Sequence, residues 1–394
     1  MSADEKIQVN ANKIPLANSD SKSNKRGKFD YTFLTLVLLL LTTGLIMLFS
    51  ASMAHAHFIY NNSYHFITRQ AAFAIVGVVI MLFVSRVDYH FYEKFRLPWI
   101  VYGVSIIMLI IVLFMKPFQE GFDYKRWISL GIVSFQPSEV AKFAIILLFS
   151  YLISRNYSKM KTFKYGILPY MFLLMGVCVL VVVEPHLSAT IVIFLLGAAL
   201  MVVGGIRLRW VLAGLGIGVG GVAIAILTGI VSYGSDRIAY WLDPWADAMG
   251  KGYQTIQSLL AIGSGGFFGV GLGQSRQKHL WLPEPHNDFI FSIVCEELGF
   301  FGALIIVALF ALLIWRGFVI AKHSKDKFGS LLVIGLVFQI GIQTALNLLV
   351  VTNTIPNTGI SLPFFSYGGT ALLMLLAQMG IVLSVSRSSN IKKN

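Results

Sequence analysis

The chain has 394 residues, of which 56% are hydrophobic and only 12% charged, and its mean hydropathy is +0.75. A soluble globular domain carries about twice that fraction of charge, so that class is excluded. The net charge of +13 would suit a nucleic-acid binder, but its distribution along the chain points elsewhere.

Residues 1–30 are polar and end in Lys22, Lys25, Arg26 and Lys28, which reads as a disordered cytoplasmic tail. The apolar run that follows is longer than a signal-peptide core. It is therefore expected to stay as an anchor, although Ala54-His55-Ala56 faintly resembles a cleavage site. Apolar runs then recur at the length needed to cross roughly 30 Å of hydrocarbon. They predict ten spans, at 31–51, 66–85, 98–115, 137–153, 166–183, 187–205, 209–231, 288–315, 329–351 and 365–386. The expected fold is an all-α polytopic membrane protein, with a membrane domain over 31–386 and a short cytoplasmic tail over 387–394. Of the 31 Lys and Arg, 22 fall in the tails and connections that this count puts on one side. Seven fall in the opposite loops, and Arg69 and Lys142 lie in or beside spans. That bias is the positive-inside rule, so both termini are cytoplasmic and no nucleic-acid partner is needed.

The fourth outer loop, 232–287, is much the longest, and it holds Trp241, Trp245, Tyr253 and Trp281. A loop of that size ordered by its own aromatics is expected to be functional. The two cysteines, Cys178 and Cys295, both lie in apolar stretches, so neither a disulfide framework nor a cysteine metal site is indicated.

Several polar groups stand out against this background. Glu139 and Lys142, in FQPSEVAKFAII, are three residues apart on one face of the fourth span. They are either a structural ion pair or the lining of a cavity open to the outer face. Glu184 sits in a hairpin with Pro185 and His186, and Arg126-Trp127 lies in the second outer loop. Gln339, Gln343 and Asn347 form a stripe on the ninth span suited to interhelical hydrogen bonding. The glycines of 263–273 match neither a P-loop nor a dinucleotide fingerprint and read as loop architecture. Glu284, Asp288, Glu296 and Glu297 fall within one short stretch at the mouth of the eighth span. Asp288, in LPEPHNDFIF, is either a helix cap or a general base whose pKa is raised by burial and by Glu284. Glu296 and Glu297 would lie roughly 12–14 Å further along a continuous helix.

These segments together resemble the SEDS (shape, elongation, division and sporulation) family, the FtsW/RodA type. The matching stretches are KRWISLG and FQPSEVAK within 125–142, EPHLSATIVI at 184–193, the whole of 237–302, and PNTGISLPFFSYGGT at 356–370. The resemblance implies a ten-span peptidoglycan glycosyltransferase that polymerises lipid II at the outer face of the bacterial cytoplasmic membrane. Undecaprenyl diphosphate leaves, and a β-1,4 linkage forms with inversion. It implies that Asp288 is the catalytic carboxylate and that Glu139 and Lys142 face the substrate cavity. Arg126, Arg237, Lys251, Arg276 and Lys278 are candidate diphosphate clamps on charge grounds, with Glu184 and Glu284 beside them. A divalent cation, Mg2+ or Mn2+, could take the same role, although no loop carries a metal motif. The implied partners are a class B penicillin-binding protein and other divisome or elongasome membrane proteins. Many family members carry Asp where this chain has His186, and EPHLS is closer to the division and sporulation branch. A lipid II flippase and a non-catalytic scaffold for a transpeptidase are the competing readings. The clustering of polar groups at the outer face favours the enzyme.

Overall fold

The computed structural model describes residue 27, residues 29–115, 126–129 and 134–207, a few positions between 209 and 220, and residues 239–389. Numbered among those residues, the helices are α1 (Tyr31–Tyr60), α2 (His65–Val84), α3 (Leu97–Phe114), α4 (Pro137–Asn156), α5 (Leu168–Val183), α6 (Leu187–Val203), α7 (Tyr253–Gly265), α8 (Ile290–Lys322), α9 (Lys327–Val351) and α10 (Gly369–Ser388). A two-stranded antiparallel ribbon, β1 (Ile128–Ser129) and β2 (Ser134–Phe135), precedes α4.

Eight helices are long and apolar enough to cross a membrane, and the shorter apolar α6 stands beside them. The expected seventh span, 209–231, falls largely outside the described residues. Two boundaries differ from expectation in ways that matter. First, α1 runs to Tyr60 rather than stopping near residue 51. At 1.5 Å per residue its 30 residues measure about 45 Å, so its last turns project beyond the hydrocarbon. Second, the outer loop contains the helix α7, which absorbs the apolar run 256–262.

Local chemistry sets the helix ends. Asp30 caps α1 by accepting from the Phe33 N–H at 3.0 Å, and Asp326 caps α9 by accepting from Gly329 at 2.7 Å. Pro98, Pro137 and Pro169 sit in the first turns of α3, α4 and α5, where the missing N–H costs nothing. At the start of α1, Arg316 of α8 grips the Asp30 carboxylate, at 2.7 Å from Nη2 and 3.0 Å from Nε to Oδ2.

The helix α4 is the axis of the bundle. It packs against α3, α6 and α9, and 72% of its apolar window is buried, against 22% for α2 and for α3. The helix α2 packs on α10 and α1, while α8 packs on α9, α7 and α1. The first turns of α4 therefore face a space bounded by α2, α10 and the outer loops.

The helix α8 is not continuous. Gly299 has φ 68 and ψ −172, which divides it into a half-helix over 290–298 and a longer membrane segment from residue 300. The glycine-rich loop after α7 fills the break. Val270 and Gly271 donate to the freed carbonyls of Glu296 and Glu297 at 2.9 and 3.1 Å. Phe300 and Phe301 donate in turn to the carbonyls of Gly266 and Phe267 at 2.9 and 3.2 Å. Broken backbone survives at membrane depth only when such partners re-satisfy it. Gly269 and Gly299 allow the approach: a Cβ on Gly299 would lie 2.2 Å from the Gly269 nitrogen.

Candidate active site

The space above α4 is a cavity of about 600 Å³, lined by residues from α1, α2, α4, α6 and α9, the ribbon, and the loops around 284–288 and 359–371. Its wall carries three acids, Glu139, Glu284 and Asp288, and three bases, Arg69, Arg126 and Lys142.

Asp288 reaches the cavity because the chain before it is bent by Pro283 and Pro285 and by Glu284, which adopts φ 44. Neighbouring segments hold this turn from behind. The Asn347 side chain of α9 donates to the Asp288 carbonyl at 2.7 Å and to the Ile360 carbonyl at 2.6 Å. Ser366 donates to the Asn287 carbonyl at 2.8 Å, and the Tyr367 N–H donates to the His286 carbonyl at 2.9 Å. Gln70 of α2 completes the frame by bonding Ser366 and Gly368. The Asp288 carboxylate is left facing Gly359, where a Cβ would stand only 3.1 Å from Oδ2 at a backbone φ of +68. Among the described residues nothing donates a hydrogen bond to that carboxylate. Burial and the charge of Glu284 push its pKa up to about 6, opposed by Arg126. An unbonded carboxylate with that pKa is equipped to take a proton near neutral pH.

Glu139 and Lys142 form the expected pair at 2.7 Å, with Lys142 almost wholly buried and Glu139 partly open to the cavity. Arg126 donates through Nη2 to the Pro185 carbonyl, which ties the second outer loop to the α5–α6 turn. Glu184 lies in that turn, off the cavity wall, with both carboxylate oxygens buried and without a hydrogen-bond partner. Burial pushes its pKa up to about 8 against the pull of Arg126, so it is protonated at neutral pH. His186 does line the cavity, and its pKa is pushed down to about 3 by burial and by the charges of Arg126 and Lys142. His186 is therefore uncharged at neutral pH.

The basic clamp set divides. Arg126 and Lys142 face the cavity, whereas Lys278, Arg276 and Lys251 do not line it. Lys278 is fully buried and ion-paired to Glu297 at 3.0 Å, so its ammonium is not available to a diphosphate. Arg276 projects from the outer loop as an exposed side chain, and Lys251 lies over the Tyr240 ring at 5.5 Å. Arg237 lies outside the described residues. In the polar stripe of α9, Asn347 bonds the outer loops rather than another helix, and Gln343 lines the cavity.

Arg69 is a further cation at the cavity. It sits one turn into α2, on the cavity wall, with no ion-pair partner among the described residues. An isolated Arg inside an apolar run was the available signal, because such a charge usually faces a wet cavity. An aromatic wall of Tyr60, His65, Phe66 and Tyr367 was also missed. Its members come from α1, α2 and the segment before α10, with Tyr60 stacked on His65 at 3.7 Å and Phe66 packed edge-on to Tyr367 at 4.9 Å. No sequence spacing links them. Among the described residues no three His, Cys, Asp or Glu converge as a metal cage.

The fold and site define a multi-pass helical membrane protein with a polar cavity and a carboxylate of raised pKa on its wall. The chain belongs to the FtsW/RodA/SpoVE family, described as cell cycle proteins, whose profile matches residues 31–391. It is 39% identical to stage V sporulation protein E of Bacillus subtilis (strain 168), over 93% of this chain and 99% of that protein. It is 36% identical to a probable peptidoglycan glycosyltransferase FtsW of Geobacter sp. (strain M18), over 91% and 96% of the two chains. Among solved structures, it is similar to a chain of a peptidoglycan synthase complex that coordinates polymerization and crosslinking. The TM-score there is 0.72 at 27% identity, over 91% of this chain and 98% of that one. The rod shape determining protein RodA of Thermus thermophilus matches with a TM-score of 0.67 at 26% identity, over 92% and 98%.

Proposed function

We propose that this chain is a peptidoglycan glycosyltransferase that polymerises lipid II at the outer face of the cytoplasmic membrane. The carrying observation is the unbonded Asp288 carboxylate, with its pKa near 6, in one cavity with Arg69, Arg126 and Lys142. Asp288 takes the proton of the acceptor sugar 4-hydroxyl as that oxygen attacks the anomeric carbon of the donor. The new C–O bond forms on the face opposite the breaking one, so the configuration inverts to β-1,4. The bonding electron pair leaves with the undecaprenyl diphosphate. Arg69, Arg126 and Lys142 offset the charge that develops there, because fixed cations in a water-poor site need no reorganisation as the bond breaks. Glu139 orients Lys142 through their 2.7 Å contact.

The expected seventh span over 209–231 completes ten crossings in this reading, with both termini cytoplasmic. The partner is a class B penicillin-binding protein, which cross-links the strands this chain makes. The kinship to a peptidoglycan synthase chain and to division and sporulation proteins supports that pairing.

The test is polymerisation by purified protein supplied with lipid II. Asp288→Asn keeps the shape and removes the base, so activity falls by about 10²-fold or more. Polymerisation at the wild-type rate in that variant would remove Asp288 from the role.

A further inference from the structure

Glu296 and Glu297 are both buried at 1% exposure, next to each other at the C-terminal end of the 290–298 half-helix. That is the negative end of the helix dipole, where carboxylates are least favoured. Burying charge there is costly unless it is paired and hydrogen-bonded. Each carboxylate is in fact fully met. Glu296 accepts from the Ser275 hydroxyl, from the Arg276 N–H at 2.9 Å and from the Gln277 N–H at 3.4 Å. Glu297 accepts from Lys278 Nζ at 3.0 Å, from Ser50 Oγ at 2.6 Å and from the Ser275 N–H at 3.3 Å. Lys278 Nζ also donates to the Gly273 carbonyl at 2.6 Å. One cluster thus joins the half-helix, the 273–278 turn and α1.

The geometry lends this cluster a task. The break at Gly299 interrupts the helix, so the half-helix is joined to the membrane segment beyond it through the 266–271 loop and not by continuous helical hydrogen bonding alone. The half-helix is a rod of about 13 Å, with Asp288 just before its first residue and the carboxylate pair at its last turn. Its Asp288 end is framed by Asn347 and Ser366. Its other end is held by the carboxylate cluster. We propose that Glu296, Glu297 and Lys278 are positioning residues for Asp288: they lock the half-helix to the 273–278 turn and to α1, and so fix where Asp288 is presented to the cavity. The inference rests on Asp288 being the base.

Three variants of the full-length protein, assayed for lipid II polymerisation with melting followed in detergent, test it. Lys278→Met leaves Glu297 buried without its cation. It lowers kcat by about tenfold or more while KM for lipid II stays within about twofold, because misplacing a base costs rate rather than binding. Lys278→Met/Glu297→Gln removes both charges of the buried pair together and so restores neutrality. That variant recovers kcat to within about threefold of wild type, since replacing both members of a buried pair is often near neutral. If Lys278→Met yields no folded protein, Ser275→Ala removes the hydroxyl that donates to Glu296 and accepts from the Lys278 N–H, and is expected to lower kcat about threefold at constant KM. Wild-type kcat in a folded Lys278→Met or Ser275→Ala protein overturns the inference, as does a double variant no faster than the single one. Asp288→Asn serves as the control. If it stays active the base assignment itself fails, whereas if it is inactive beside unaffected anchor variants only the positioning role fails.

Discussion

Asp288 serves as a base only while ionised, so its raised pKa becomes a pH limit on the reaction. The pKa lies near 6, above the usual carboxylate range. The rate is therefore full above that value and is lost as the pH falls through it. Measured as kcat/KM against pH, the acid limb is expected near pH 6. After burial, the charge of Glu284 is the other cause raising the value, so Glu284→Gln moves the limb to lower pH. An unmoved limb would separate it from Asp288. Glu184 behaves oppositely. Its carboxyl is protonated at neutral pH and lies off the cavity wall. Glu184→Gln is thus expected to keep polymerisation at pH 7 within about threefold of wild type, since the amide replaces a group that already carries no charge. At this scale the sequence was informative where a charge stood at the start of an apolar run, as with Lys142 and Asp288, which both line the cavity. It misled at Lys278, because its partners Glu297 and Ser50 lie 19 and 228 residues away.

Among the elements, α8 and the loop after α7 carry the least expected feature. A run of apolar residues predicts one helix across Gly299, and glycine alone does not mark a break, since most helical glycines are tolerated at a cost of about 1 kcal/mol. What makes this one break is the loop that supplies partners to both sides of it. Gly299→Ala would place a methyl against the Gly269 backbone and hold a non-glycine residue at φ 68. The strain at such a φ is about 1–3 kcal/mol before the clash is counted. The variant is expected to melt several degrees lower in detergent, whereas Gly263→Ala, whose Cβ meets nothing within 4 Å, melts as wild type. The α4 pair was legible by contrast, because Glu139 and Lys142 are neighbours on their own helix and need no tertiary contact to meet.

For the whole molecule, orientation is open to direct test. A cysteine replacing exposed Trp245 in the fourth outer loop should react with a membrane-impermeant maleimide added to intact cells. One replacing exposed Lys161 in the basic α4–α5 connection should react only after lysis, with the parent chain giving the background from Cys178 and Cys295. Labelling at position 161 in intact cells, with position 245 protected until lysis, would reverse the positive-inside assignment. The membrane class, most span positions and the motif-bearing stretches were legible in the sequence alone, which also sets the expected orientation. Apolar run length, the placement of Lys and Arg, and proline or Asp at a helix start are local properties, readable without knowing what packs on what. The tertiary structure alone decided which charges meet. The cavity draws Arg69 from α2, Glu139 and Lys142 from α4, and Asp288 from the approach to α8, while Lys278 is withdrawn into an ion pair beneath it. A charged side chain at the membrane face can bind substrate or pair with another residue, and only the position of its neighbours determines which.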